Sequence, residues 1–122
     1  MLYAILCYHD EYTVGSWTRE QDAAVMQKLS VVQDKLSKQG RLGPVARLLP
    51  TTAATTLRKE DPPLVLDGPF AETKEQLLGF YVVDCKNLDE ALDVARDLGK
   101  ANPGGAYEIR PVGHFTPGSV KP

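Results

Sequence analysis

The sequence predicts one α+β domain in which two amphipathic helices cover one face of an antiparallel sheet. Three observations lead there. Leu2–Tyr8 and Leu77–Asp84 are strand-like and apolar on both alternating faces, as central strands are. Thr18–Gln39 and the stretch from Leu88 to Leu98 carry apolar residues at helical spacing. A length of 122 residues fits one domain with its own core.

Taken in order, Leu2–Tyr8 is rich in strand formers, and the polar run His9-Asp10-Glu11 ends it. Thr18 then caps the longest helix, with Gln21 three residues later in the capping-box position. Val25, Leu29, Val32 and Leu36 draw its apolar stripe, and Gly40 stops it. Arg41–Leu49 and Thr52–Arg58 read as strands separated by a turn at Pro50, the second favoured by its β-branched threonines. Leu64-Val65-Leu66 is a further short strand, and Asp67-Gly68-Pro69 is a strong turn signal. After Leu77–Asp84, Asn87 caps a second helix with Glu90 three residues on. Leu88, Leu92, Ala95 and Leu98 give its expected buried stripe, and Gly99 its expected end. Asn102-Pro103-Gly104-Gly105 turns the chain into a last strand, Ala106–Val112. There Glu108 and Arg110 lie on the face opposite Tyr107 and Ile109. The domain is expected to span residues 1–115, and the Pro-, Gly- and Ser-containing residues 116–122 to form a loose tail.

This order is a split β-α-β arrangement of ferredoxin-like type. Two helices can cover only one face of its sheet. The other face keeps apolar side chains from both central strands, and the simplest cover is the same face of a second copy. A homodimer is therefore expected, unless segment 59–76 folds over that face within one chain.

Charge and motifs narrow the function classes. Acidic residues number 16 and basic residues 14, with no run of Lys or Arg, which argues against nucleic acid or an anionic membrane as a direct partner. No leader-like start is visible, and no apolar stretch approaches the roughly 20 residues of a membrane helix, so cytoplasm is the expected location. Cys7 and Cys85 sit in apolar stretches and are expected as buried free thiols, with a disulfide as the alternative. Histidines at helical spacing, Cys-x-x-Cys and a glycine-rich phosphate loop are all missing, so neither metal nor cofactor is expected.

The densest polar constellation is Asp67-Gly68-Pro69-Phe70-Ala71-Glu72-Thr73-Lys74-Glu75. One reading is a rigid turn followed by a solvated charged segment. The other is a turn that fixes Asp67 at a cleft edge, with Lys74 neutralising an anionic ligand. The run from Asp67 to Gln76, followed by Leu-Gly-Phe-Tyr-Val-Val at 78–83, resembles the signature of the YCII-related family in its DGPF branch. Leu2–Tyr8, residues 54–58, residues 88–91 and residues 107–112 resemble further family segments, so the likeness covers nearly the whole chain. It implies a ferredoxin-like domain paired into a dimeric α+β barrel. It also implies kinship with a small dehydrochlorinating enzyme that uses a His–Asp pair, and with proteins linked to sigma-factor-like regulators. The enzyme-like branch carries its histidine in the first helix. Thr18–Gln39 has none, so that pair does not carry over.

His9 and Asp67 are the candidate catalytic residues, and Arg58, Glu72, Lys74 and Arg110 the candidate ligand-binding ones. Histidine suits general acid–base work, and His9 would pair with Asp67 or Glu72 across the fold, or else is an ordinary strand-end histidine. Arg58 and Arg110 would grip a carboxylate or phosphate if they face inward at a dimer. Tyr3, Tyr8, Phe80 and Tyr81 are expected in the core or dimer interface, with a cleft lining as the alternative. One function hypothesis is a homodimer that binds a small anionic organic ligand, with cofactor-free elimination or isomerisation chemistry. The other is a regulatory module whose partner is a sigma-factor-like protein.

Overall fold

The computed structural model describes residues 1–121, which run β1 (Leu2–His9), α1 (Glu11–Gly15), α2 (Arg19–Lys38), β2 (Leu42–Arg47), β3 (Thr55–Arg58), β4 (Leu64–Asp67), β5 (Gln76–Asp84), α3 (Leu88–Ala101) and β6 (Ala106–Pro111). A 3-10 turn at Thr51–Ala53 precedes β3. The strands apolar on both faces, β1 and β5, are the central pair of a four-stranded antiparallel sheet ordered β2-β5-β1-β6. Strands β3 and β4 form a separate two-stranded hairpin, here called the arm.

Alternation sorts the central side chains. Tyr3, Ile5, Tyr81 and Val83 point to the helices and pack with Leu29 and Leu36 of α2 and Ala91, Val94, Ala95, Leu98 and Ala101 of α3. Ile5, Val83 and Leu98 lose all contact with water, each contributing roughly 1.5–3 kcal/mol by burial. Ala4, Leu6, Phe80 and Val82 point the other way and stand outside that core. This is the α+β sandwich of ferredoxin-like type, with both long helices on one face.

The ends of the helices follow local chemistry. Thr18 and Gln21 form the reciprocal capping box of α2, with Oγ1 accepting from Gln21 N–H at 3.1 Å and Oε1 from Thr18 N–H at 2.9 Å. Asn87 caps α3 through Glu90 N–H at 3.0 Å. Arg41 joins the two layers at one edge. Its guanidinium meets Glu90 of α3 at 2.7 Å and the Asp84 carbonyl of β5 at 3.1 Å.

Four expectations are corrected. His9-Asp10-Glu11 does not simply end a strand, because Asp10 caps α1, accepting from Tyr12 N–H at 3.0 Å and Thr13 Oγ1 at 3.1 Å. The strand expected at Thr52–Arg58 starts only at Thr55, after the 3-10 turn. Helix α3 buries Ala91, Val94, Ala95, Leu98 and Ala101, while Leu88 is half exposed. Both stripes are helical in period, and the alanines win because they let α3 approach the sheet closely. Gly99 lies inside α3, which runs on to Ala101 before Asn102-Pro103.

The turn into β6 demands glycine. Gly104 and Gly105 have φ of +92° and +75°, and a Cβ on Gly105 would run into the Tyr8 carbonyl. Gly105→Ala is expected to destabilise the fold by more than about 1 kcal/mol, read as a lower urea midpoint. Gly113→Ala, with open space around the added Cβ, should stay within about 0.5 kcal/mol of the parent.

Candidate functional site

One row of residues across the sheet is nearly empty on its helix side. Arg47 pairs with Gly79, Gly79 with Cys7, and Cys7 with Tyr107. One row further in, Tyr81, Ile5 and Ile109 fill the space between sheet and helices. At the Gly79–Cys7 row there is only a thiol and a missing side chain, so a hollow opens under α2. Gly79 cannot be replaced cheaply, because the Ala46 carbonyl of β2 occupies the place where a Cβ would project.

The hollow is a cleft of about 110 Å³. Its apolar walls include Val25, Met26 and Leu29 from α2 and Val14 and Trp17 from α1 and its exit. Trp17 is the single tryptophan of the chain. Its ring meets His9 edge-on, with centroids 6.2 Å apart. His9 Nδ1 accepts the Asp10 N–H at 2.7 Å, so the neutral ring carries its hydrogen on Nε2. The ring lies against the Gly104–Gly105 turn, where a Cβ on Gly104 would stand 2.6 Å from Nε2. Arg47 and Asp22 close one side as a two-point ion pair, at 2.9 and 3.3 Å.

The two phenols and the thiol of the cleft are neutral. Burial, then the neighbouring Cys7 and Tyr81, push the Tyr107 phenol from its ordinary 10.0 to about 12; Asn102 beside it pulls slightly the other way. No hydrogen bond closes on the Tyr107 hydroxyl, which is shielded from solvent and has no partner among the described residues. Burial and Cys7 raise the Tyr81 phenol as well, against a smaller opposing pull from Gln33. The Cys7 thiol is raised by burial from 9.0 to about 12. At neutral pH all three groups keep their hydrogens. Among the described residues, the only Lys or Arg lining the cleft is Arg47, already neutralised by Asp22.

Of the six residues singled out from sequence, His9 alone lines the cleft. Asp67 ends β4 opposite Thr55 and is exposed. Arg58 ends β3 with its guanidinium 5.3 Å from the Phe70 ring centre. Glu72 and Lys74 are exposed between the arm and β5. Arg110 projects from β6 beside Ala4, on the face without helices. Within one chain, His9 makes no hydrogen bond or ion pair with Asp67 or Glu72 among the described residues. Glu11 ties the arm to the cleft wall. Its carboxylate accepts from Thr51 N–H and Oγ1, both at 2.7 Å, and its own N–H donates to Gln76 Oε1 at 3.0 Å. Thr51 and Gln76 flank the two ends of the arm segment, so both are held at the start of α1.

Sequence reasoning missed Trp17, Gln33, Asn102, Tyr107 and the Asp22–Arg47 pair. The usable signals were a lone tryptophan just before a helix cap and a tyrosine on the inner face of β6. Tyr3 and Tyr81 lie in the core, as expected, and Tyr81 also contributes to the cleft wall, as do Tyr8 and Phe80. Cys7 and Cys85 are free thiols. Among the described residues no helix is long and apolar enough to cross a membrane.

The sequence profile of the YCII-related domain matches residues 1–116. An uncharacterised protein of Rhizobium meliloti is 60% identical over 122 residues, covering 98% of each chain.

Two solution properties follow. With its thiol at about 12, Cys7 should be almost wholly protonated at pH 8, and buried Cys85 is inaccessible. A disulfide-exchange reagent should label neither quickly until denaturant exposes both. The Tyr107 phenol sits higher in the folded chain than its ordinary 10.0. Its contribution to stability is therefore fully present below pH 10 and lost as pH rises towards 12. Tyr107→Phe should flatten that alkaline fall in the urea midpoint.

Proposed function

The chain belongs to the YCII-related family, and from that premise we propose that it is a small-molecule binding protein whose ligand enters the cleft over the Gly79–Cys7 row. The observation that carries this reading is a buried hydroxyl, without a hydrogen-bond partner among the described residues, in the wall of a largely apolar hollow. A packed core without function has no reason to leave both the space and the unmet hydrogen bond. Binding is the primary role. Proton transfer without a cofactor would fall to His9, with Asp67 as its carboxylate only where an arm meets a cleft. An anionic group on the ligand would likewise meet Arg58 and Lys74 of an arm, since Arg47 is engaged by Asp22.

The working unit in this reading is a homodimer. The face bearing Ala4, Leu6 and Phe80 lies opposite the helix-packed core, and the arm exposes Leu57, Val65 and Phe70. Two copies would cover both surfaces. The same arm supports a second reading, a regulatory module that grips a sigma-factor-like protein through those side chains.

Ligand-induced stabilisation distinguishes the two. A compound present at about 100 times its dissociation constant adds roughly 2.7 kcal/mol, worth about 10 °C in the midpoint of a domain this size. Such a shift from a metabolite panel, lost in a Trp17→Ala variant, is expected. Loss in Lys74→Ala as well would bring the arm into the site. No shift across a broad panel overturns the ligand reading in favour of the partner protein. Light scattering should give twice the 13.4 kDa chain mass, and Phe80→Lys should return the monomer.

A further inference from the structure

We infer that the ligand of this cleft is uncharged at its buried end, is about the size of a single six-membered ring, and presents a carbonyl oxygen to the hydroxyl of Tyr107. The inference rests on the reading of the cleft as a ligand site and goes further by giving the ligand its chemistry.

Four features of the hollow select that class. The Tyr107 hydroxyl is out of contact with solvent and without a partner among the described residues. An unmet buried hydroxyl costs about 1–3 kcal/mol, which an acceptor oxygen placed against it offsets. Second, its neighbours leave it free to donate. Cys7 directs its thiol at the Ile5 carbonyl, 3.8 Å away, and the Asn102 amide, near enough to pull the phenol down, closes no hydrogen bond on it. Third, the buried end has no charge to offer. Arg47 is held at two points by Asp22, and the remaining polar groups there are the His9 ring, whose Nδ1 is taken by the Asp10 N–H, and the amides of Gln33 and Asn102. A carboxylate taken to that depth would lose its water without gaining a cation, a large penalty. A ketone, ester or lactone loses little water and needs one donor. Fourth, Val25, Met26, Leu29 and Trp17 form an apolar box of about 110 Å³. That is smaller than the roughly 150 Å³ of an apolar cavity that admits benzene, so a ring-sized ligand would keep part of its surface at the mouth of the cleft.

The probes are acetophenone, its oxygen-free near-isostere isopropylbenzene, and benzoate. Binding is read from the indole N–H cross-peak of Trp17, which has no counterpart elsewhere in the chain. Acetophenone should move this peak and benzoate should not at equal concentration. Tyr107→Phe keeps the ring in place and should weaken acetophenone roughly three- to tenfold, the worth of one neutral hydrogen bond. It should leave isopropylbenzene unchanged. Should Tyr107→Phe fail to fold, the parent chain still decides, because acetophenone should bind it roughly three- to tenfold more tightly than isopropylbenzene. Benzoate binding more tightly than acetophenone, acetophenone indifferent to Tyr107→Phe, or the parent chain binding isopropylbenzene as tightly as acetophenone, would overturn the ligand class while leaving a ligand site intact. If none of the three moves the peak, the carbonyl inference is overturned. If the metabolite panel then also fails, the cleft holds water only and the ligand reading falls with it.

Discussion

Position 79 has no room for a side chain, and much of the architecture depends on that. The Ala46 carbonyl of β2 lies where a Cβ would project, so β2 can pair with β5 at this register only against glycine. The same absence empties the row that Gly79 shares with Cys7. Ile5 and Tyr81, one row further in, press against the helices, whereas Gly79 and Cys7 leave a hollow beneath α2. Strand pairing and cleft are thus two results of one missing side chain. Tyr107 completes the row on β6 and turns a mere void into a void with a hydrogen-bond donor.

The second constraint is the two-sided apolarity of β1 and β5. Helices α2 and α3 satisfy one face only, and the arm does not fold back over the other. Its strands β3 and β4 pair with each other and leave Leu57, Val65 and Phe70 in water. A lone two-stranded hairpin is marginal by itself, and here its roots are fixed rather than its tip. Glu11 takes the main-chain and side-chain donors of Thr51 at one root and gives its N–H to Gln76 at the other. Because Glu11 opens α1, whose Val14 lines the cleft, arm and cleft share one rigid attachment. The charged residues of the arm are therefore held outside the cleft of their own chain but in a fixed direction from it.

The sequence carries the fold more fully than the site, for a physical reason. Period-two and period-3.6 patterns are one-dimensional records of burial, so the central strands, the capping box of Thr18 and Gln21 and the stripe of α2 were readable directly. The stripe of α3 was legible in Ala95 and Leu98 but not in Ala91, Val94 and Ala101, because leucines outweigh alanines in any hydrophobicity reading, while close packing on a sheet prefers the alanines. Helix α1 was missed because five residues carry no period. The cleft is harder still. It depends on Gly79 and Cys7 being neighbours across two strands 72 residues apart in sequence, and on Asp22 reaching Arg47 between a helix and a strand. Charge density drew attention to the segment from Asp67 to Glu75, which is conspicuous because it is exposed. The neutral donors of the cleft are inconspicuous because they are buried.

Filling the hollow tests its role most directly. Cys7→Met adds volume to the empty row without adding a charge, and methionine adapts to irregular space. If the hollow is a ligand site, the variant should fold with its thermal midpoint kept or raised, since overpacking penalties apply to filled cores and not to vacant ones. The ligand-induced response of Trp17 should vanish. A variant that folds normally and still shows the full response, with unchanged affinity, would contradict the account: the ligand would then bind elsewhere, and the row over Gly79 and Cys7 would be no more than a packing defect.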